Sequence, residues 1–187
     1  MWVANAARTP YHMGMNIFAT STCPKSAAQD HCDKHLVKMI LETAQLLSTA
    51  HHICGEPTDV PEIYKVTHQN HPSAIWVRET SGNYTWTYRL FRALCVEYTR
   101  RYGRVHKTEG KLLYGLMTMP RYIIHDDLTP PPACMPDEFK VEPEGQWPVE
   151  SYRRYLARGK SWLTADSFKK RGNGAPAWFR RLEEKVA

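Results

Sequence analysis

Nowhere in the 187 residues is there an apolar run of the eighteen or so positions a membrane-crossing helix needs, which excludes an integral helical membrane protein. The first fourteen residues also lack the apolar centre of a secretory signal, so a soluble, cytoplasmic protein is expected. Cysteine is scarce and unpaired in pattern: Cys23, Cys32, Cys54, Cys95 and Cys134 are odd in number, far apart and never in a CxxC, which fits reduced thiols better than a disulfide framework. A Gly-rich phosphate loop, a dinucleotide fingerprint, a GxSxG elbow and an HExxH pair are all missing, setting aside the commonest nucleotide-binding, hydrolase and zinc-protease chemistries. Alternating strand patterns, internal repeats and low-complexity tracts are absent too.

What is there is positive charge and a helical period. Lys and Arg number 25 against 19 Asp and Glu, a formal net charge of +6. With aromatic residues at 11%, the balance points to an acidic polymer as partner. The length suits one domain with one core.

The longest clean amphipathic pattern is Asp33 to Ala50. Leu36, Ile40, Ala44 and Leu47 recur at helical spacing, with Val37, Leu41 and Ala50 beside them, and predict one broad buried stripe. The opposite row carries His35, Lys38, Glu42 and Gln45. Before this helix, Asn16 to Ala19 reads as an extended lead-in, and Pro24 suits the first position of a short helix. Gly55, Pro57 and Pro61 predict loop over residues 51 to 71. Pro72 opens a second block, Ser81 is the expected cap of the next, and Tyr84 to Tyr102 forms a helix ended by Gly103. A short helix is expected over Lys111 to Met117.

Residues 120 to 148 then hold seven of the thirteen prolines and an excess of acids, an irregular wrap or lid. Helical character returns at Val149 to Leu156 and Trp162 to Phe168, inside a basic, aromatic segment that runs from 149 to 187. The predicted architecture is all-α: residues 1 to 14 as an extension and 15 to 187 as one compact helical bundle with long Pro-rich loops.

Lys38 and Glu42 stand one turn apart, so an amine and a carboxylate meet, the amine able to attack a sugar carbon and the acid to shuttle protons. An exposed i,i+4 ion pair is the competing reading. His35 adds an imidazole to the same row. The groups His31/Cys32/His35, His51/His52/Cys54 and His68/His71 match no zinc-site spacing, so neither metal nor cofactor is expected. For phosphate, the candidates are Lys34, Arg78, Arg100, Arg101, Arg104, Lys107 and Arg180, with Trp178 available to stack on a base; Trp76 and Trp86 are further aromatics for which core packing is the favoured reading.

Four stretches together resemble a known family: Met-Asn-Ile-Phe from Met15, the run Asp33 to Leu47, Thr-His-Gln-Asn-His-Pro-Ser-Ala-Ile-Trp-Val-Arg-Glu from Thr67, and Leu-Cys-Val-Glu-Tyr-Thr-Arg-Arg-Tyr-Gly from Leu94. They are similar to small phage and bacterial proteins grouped with pyrimidine dimer DNA glycosylases of the endonuclease V type. The resemblance covers Met15 to about Lys107, and Pro176 to Arg180 resembles that family's aromatic, basic C-terminus.

It implies an all-α, endonuclease V-like domain that binds damaged or modified double-stranded DNA in the cytoplasm of a bacterial host. There it would cut the glycosidic bond of a pyrimidine and then, as a lyase, the backbone at the abasic site. In that family an N-terminal α-amine forms a Schiff base with the sugar while a glutamate on an early helix moves protons. Glu42 matches the glutamate. The amine would belong to Met15 or Asn16 in a chain starting there, or be replaced by Lys38 or Lys34. Two alternatives stand beside this: a DNA-binding accessory or structural phage protein without turnover, and an enzyme acting on nucleotides or hypermodified phage bases.

Overall fold

The first long amphipathic stretch folds as one uninterrupted helix with the rest of the chain laid around it. The computed structural model describes residues 16–56 and 62–184; the expected extension over 1–14, the Met15 start and the Pro57 to Pro61 loop lie outside them. A short α1, Pro24–Gln29, begins with the proline at its first turn, where its missing N–H costs nothing. It leads into α2, Asp33–Cys54, whose cap is Cys32: the thiol accepts from the His35 N–H at 3.4 Å. Helix α2 outruns the expected end at Ala50 because no glycine or proline intervenes before Gly55 and His51 is drawn into the core, its Nε2 2.8 Å from the Tyr84 hydroxyl.

The burial of α2 differs from the predicted wheel. Val37 and Leu41, placed beside the apolar stripe, are 37% and 38% exposed, whereas His35 and Glu42 from the polar row are 6% and 5% exposed. Chain segments remote in sequence cover that row, so the helix is packed on more than one side.

Helix α3, Pro72–Glu79, starts on a His71 side-chain cap, and α4, Ser81–Tyr102, on Thr80 rather than the expected Ser81, the Thr80 hydroxyl accepting from Asn83 N–H at 3.1 Å. Gly103 ends α4 at φ 65°, a left-handed conformation that glycine adopts without strain. The next helix, α5, spans Lys107–Leu112 and a 3-10 turn follows at Gly115–Met117. It starts ahead of the expected Lys111 because His106 caps the Thr108 N–H at 3.2 Å.

The Pro-rich stretch holds only the 3-10 turn Asp137–Phe139 and is fastened to the start of α4. Ser81 N–H donates to Ile124 O at 2.8 Å, and Asn83 Oδ1 accepts from Thr129 N–H at 2.9 Å. Gly82 is required there, since a Cβ would fall 2.3 Å from the Leu128 nitrogen. The chain closes with α6, Val149–Arg158, a 3-10 helix at Ala165–Arg171 and α7, Ala177–Glu184. Helices α2 and α4 form the centre, with Leu36, Met39, Ile40, Leu47, Phe91 and Leu94 fully buried; each such side chain contributes about 1.5–3 kcal/mol. The expected all-α class holds: among the described residues there is no strand, and no helix is long and apolar enough to cross a membrane.

Candidate active site

Residues Asn16 to Ala19, which close tight turns at Ala19 N–H to Ile17 O and Thr20 N–H to Phe18 O, lie against the row of α2 that holds His35 and Glu42. Glu42 Oε1 lies 2.8 Å from Lys38 Nζ, with the carboxylate side chain 7% exposed and the lysine 55%. Its carboxyl also accepts the backbone N–H of Asn16. Burial raises the Glu42 pKa, and the Lys38 contact, the Asn16 N–H and the charge of His68 offset only part of that rise.

Asn16 is itself pinned from two distant places. Its Nδ2 donates to Cys134 O at 2.9 Å, and the Tyr152 hydroxyl meets its Oδ1 at 2.9 Å. The Pro-rich segment and α6 thus hold the backbone nitrogen that faces the carboxyl. Composition and period gave no signal for this contact; only the family-like start at Met15 hinted at it.

His35 lies on the same row seven residues earlier and is not bonded to Glu42. Its ring sits 4.9 Å from Phe18 and edge-on, 5.0 Å, to Trp162. Burial lowers its pKa to about 3, and the charges of His31, Lys160, Lys38 and Lys34 push the same way. The imidazole is therefore neutral, surrounded by ammonium groups, and packs rather than ionises. Among the described residues no three His, Cys, Asp or Glu side chains converge as a metal site.

The predicted phosphate-binding cations are spread over the molecule. Lys34 Nζ lies 5.0 Å from the centre of the Trp162 ring, close to the Glu42 row. Arg78 donates to Gln69 O at 2.7 Å, and Arg180 to Ala175 O at 2.8 Å. Arg100, Arg104 and Lys107 are exposed around the end of α4, Arg104 bonded to the Tyr98 hydroxyl at 3.1 Å. Arg100 borders a cleft of about 330 Å³ with Gln29, Glu97, Arg171, Gly172 and Asn173.

The expectations for Arg101 and Trp178 as DNA contacts need correction, while Trp76 and Trp86 sit as the core-packing reading has them. Arg101 has no exposed side-chain surface: it holds Glu97 at 2.7 Å, Asp33 at 3.0 Å and the His31 carbonyl at 2.8 Å, which ties the end of α4 to the start of α2 and leaves nothing for a phosphate. Trp76, Trp86 and Trp178 are only 4%, 4% and 7% exposed. Their indole N–H groups are held by Thr129, Thr22 O and Asp30, and Arg153 lies over the Trp178 ring, so these are core tryptophans without an open face for a base.

Compared with known proteins, residues 15–109 match the family described as pyrimidine dimer DNA glycosylase, just over half of the chain. The matched stretch contains Asn16, His35, Lys38 and Glu42 and stops short of Cys134, Tyr152 and Trp162. No curated protein and no solved structure matches.

Proposed function

This chain belongs to the pyrimidine dimer DNA glycosylase family, and from that premise we propose that it removes damaged or modified pyrimidines from double-stranded DNA, with Glu42 as the proton-transferring acid and base. The observation that carries the reading is the seat of Glu42: a buried carboxyl with its pKa raised, facing two nitrogens, Lys38 Nζ and the backbone N of Asn16. A carboxylate so placed is a better proton acceptor than an exposed one.

In the proposed reaction an amine attacks C1′ of the nucleotide. The C1′–N1 bond breaks, the pyrimidine leaves with the bonding electron pair and takes up a proton, and Glu42 accepts the proton that the amine loses. Opening of the sugar ring gives a Schiff base between C1′ and the nitrogen. Loss of a C2′ proton then expels the 3′ phosphate, cutting the strand. Exposed cations such as Lys34, Arg100, Arg104 and Lys107 would neutralise backbone phosphates.

Which nitrogen attacks depends on the covalent state of residue 16. As an internal residue, Asn16 offers an amide whose lone pair is delocalised, and Lys38 is then the amine at Glu42. In a chain whose first residue is Asn16, that same atom is an α-amine, with a reference pKa of about 7.7–8.0 that suits attack near neutrality.

A second reading, DNA binding without turnover, draws on the same ion pair, because Lys38–Glu42 also satisfies an ordinary i,i+4 contact. Borohydride trapping on an abasic duplex separates the two, using chains that start at Met1 and at Asn16, each with Lys38→Ala and Glu42→Gln. A covalent adduct whose peptide map lands on Lys38 or on the Asn16 amine, and whose yield collapses in Glu42→Gln, is expected. Salt-sensitive binding with no adduct and no cutting of ultraviolet-irradiated duplex overturns the enzyme reading and leaves the second.

A further inference from the structure

Trp162 is the one exposed tryptophan among the described residues, 45% accessible, and its indole N–H meets no acceptor there. It lies well outside the matched residues 15–109. The ring stands edge-on to His35 at 5.0 Å with an interplanar angle of 80°, and His35 in turn rests on Phe18 at 4.9 Å. The buried His35, itself resting on Phe18, thus supports the ring at one edge and Lys34 Nζ lies over the ring, while 45% of the residue stays accessible, unlike the buried Trp178.

Cations collect around Trp162 and His35. Lys34 Nζ is 5.0 Å from its centre, and the charges of Lys34, Lys38 and Lys160 all bear on the imidazole beneath it. Lys160 also sits over the rings of Phe18 and Tyr155, at 5.7 and 4.8 Å. Phosphate-neutralising amines around a flat, braced, accessible ring are what a strand with an unstacked base requires. His35 precedes Glu42 by seven residues, about 10 Å along the helix, which is the reach of an adjacent nucleotide rather than of the base whose own sugar meets Glu42.

We propose that Trp162 is a stacking platform for a nucleobase neighbouring the one processed at Glu42, with Lys34 and Lys160 on the phosphates of that nucleotide. The inference rests on the glycosylase reading above, and it gives the enzyme a way to hold its strand open beside the reacting sugar.

The test uses the full chain and two matched duplexes, one with a single cyclobutane thymine dimer and one undamaged, each carrying 2-aminopurine next to the dimer position. Base–aromatic stacking strengths predict that Trp162→Leu weakens binding of the dimer duplex by about 5- to 150-fold. The variant should also abolish the change in 2-aminopurine fluorescence, leave the undamaged duplex nearly unaffected, and keep its thermal transition. Trp162→Phe, which keeps a ring, should stay within about three-fold of the wild type. Lys34→Gln should weaken both duplexes alike while the preference for damage persists.

Equal behaviour of Trp162→Leu and wild type on the dimer duplex overturns the platform, as does equal loss on both duplexes, or a preference that vanishes with Lys34→Gln. Wild-type protein that cuts the dimer duplex while Trp162→Leu binds it unchanged sinks the platform alone. Wild-type protein that shows the stacking signal but neither cuts nor traps sinks the glycosylase reading and leaves Trp162 as a DNA contact.

Discussion

Lys38 and Glu42 meet at 2.8 Å across one turn of α2, yet one side chain is 55% exposed and the other 7%. The pair is therefore unequal: the lysine keeps most of its hydration, while the carboxylate has exchanged water for one ammonium and one backbone N–H. Because burial outweighs those partners, the folded state holds the Glu42 proton more tightly than the unfolded chain does. Between the unfolded and folded pKa values the folded protein binds the extra proton, so stability falls as pH rises through that window and stays lower above it.

Glu42→Gln should accordingly keep the fold and melt at or above the wild-type temperature at pH 7, with the difference shrinking below the ordinary carboxylate range. At the same time it should lose adduct formation. Scanning calorimetry at several pH values checks the first part, and a lower melting temperature at pH 7 would contradict the burial argument.

Lys38→Met removes a cation that lowers the Glu42 pKa, so the carboxyl should titrate higher still. Carbon-detected NMR of the Glu42 carboxyl in both proteins reads this directly. A Glu42 pKa that stays put or falls would show that Asn16 N–H and His68, not Lys38, set its charge.

His31 and His35 make the protein acid-sensitive. His31, buried, is lowered to about 4 and His35 to about 3, in both cases first by burial. His31 donates from Nδ1 to Ala27 O at 2.7 Å and its Nε2 has no partner among the described residues, so a second proton would be buried without an acceptor. Both groups have ordinary unfolded values near 6.5. Below that pH the unfolded chain binds more protons, and stability should decline as pH drops from about 6.5 towards 3. Denaturant midpoints across that range test it, and His35→Phe, which keeps a ring between Phe18 and Trp162, should flatten the slope by about half.

Local chemistry was legible in the sequence where a single residue type dictates backbone geometry: Pro24 and Pro72 open helices and Gly103 closes α4. The faces of α2 were harder. Its buried arc is too broad for a simple wheel, and the cover over His35 and Glu42 comes from Asn16 to Ala19 and from Trp162, neither of which local periodicity can place. The same limit hid the Asn16–Glu42 contact, which depends on Cys134 and Tyr152 holding Asn16 in position. Exposure of individual tryptophans was likewise illegible, since composition cannot tell an indole whose N–H reaches Thr129 or Asp30 from one that faces water.

Adjacent arginines at the end of α4 show how far two like residues diverge. Both hold Glu97, Arg100 at 2.6 Å and Arg101 at 2.7 Å, but their side chains are 50% and 0% exposed. Burial alone would raise the Glu97 pKa; the two guanidinium groups reverse this and hold it below the usual range. Arg101→Met leaves the His31 carbonyl without its donor, takes one of two donors from Asp33 and from the Gln29 carbonyl, which keep Lys170 N–H and Arg171, and strands part of a buried charge. Loss of one partner from such a buried pair typically costs about 3–5 kcal/mol, which for a domain of this size lowers the melting temperature by roughly 6–20 °C. Arg100→Gln removes one of the two guanidinium partners of the buried Glu97 from a half-exposed side chain, so its melting point should fall less than that of Arg101→Met. If Arg100 meets a DNA phosphate, that variant should instead reduce the slope of log affinity against log salt by about 0.9. Paired thermal melts and salt titrations check both, and equal destabilisation by the two substitutions would mean that the buried network does not divide its work in this way.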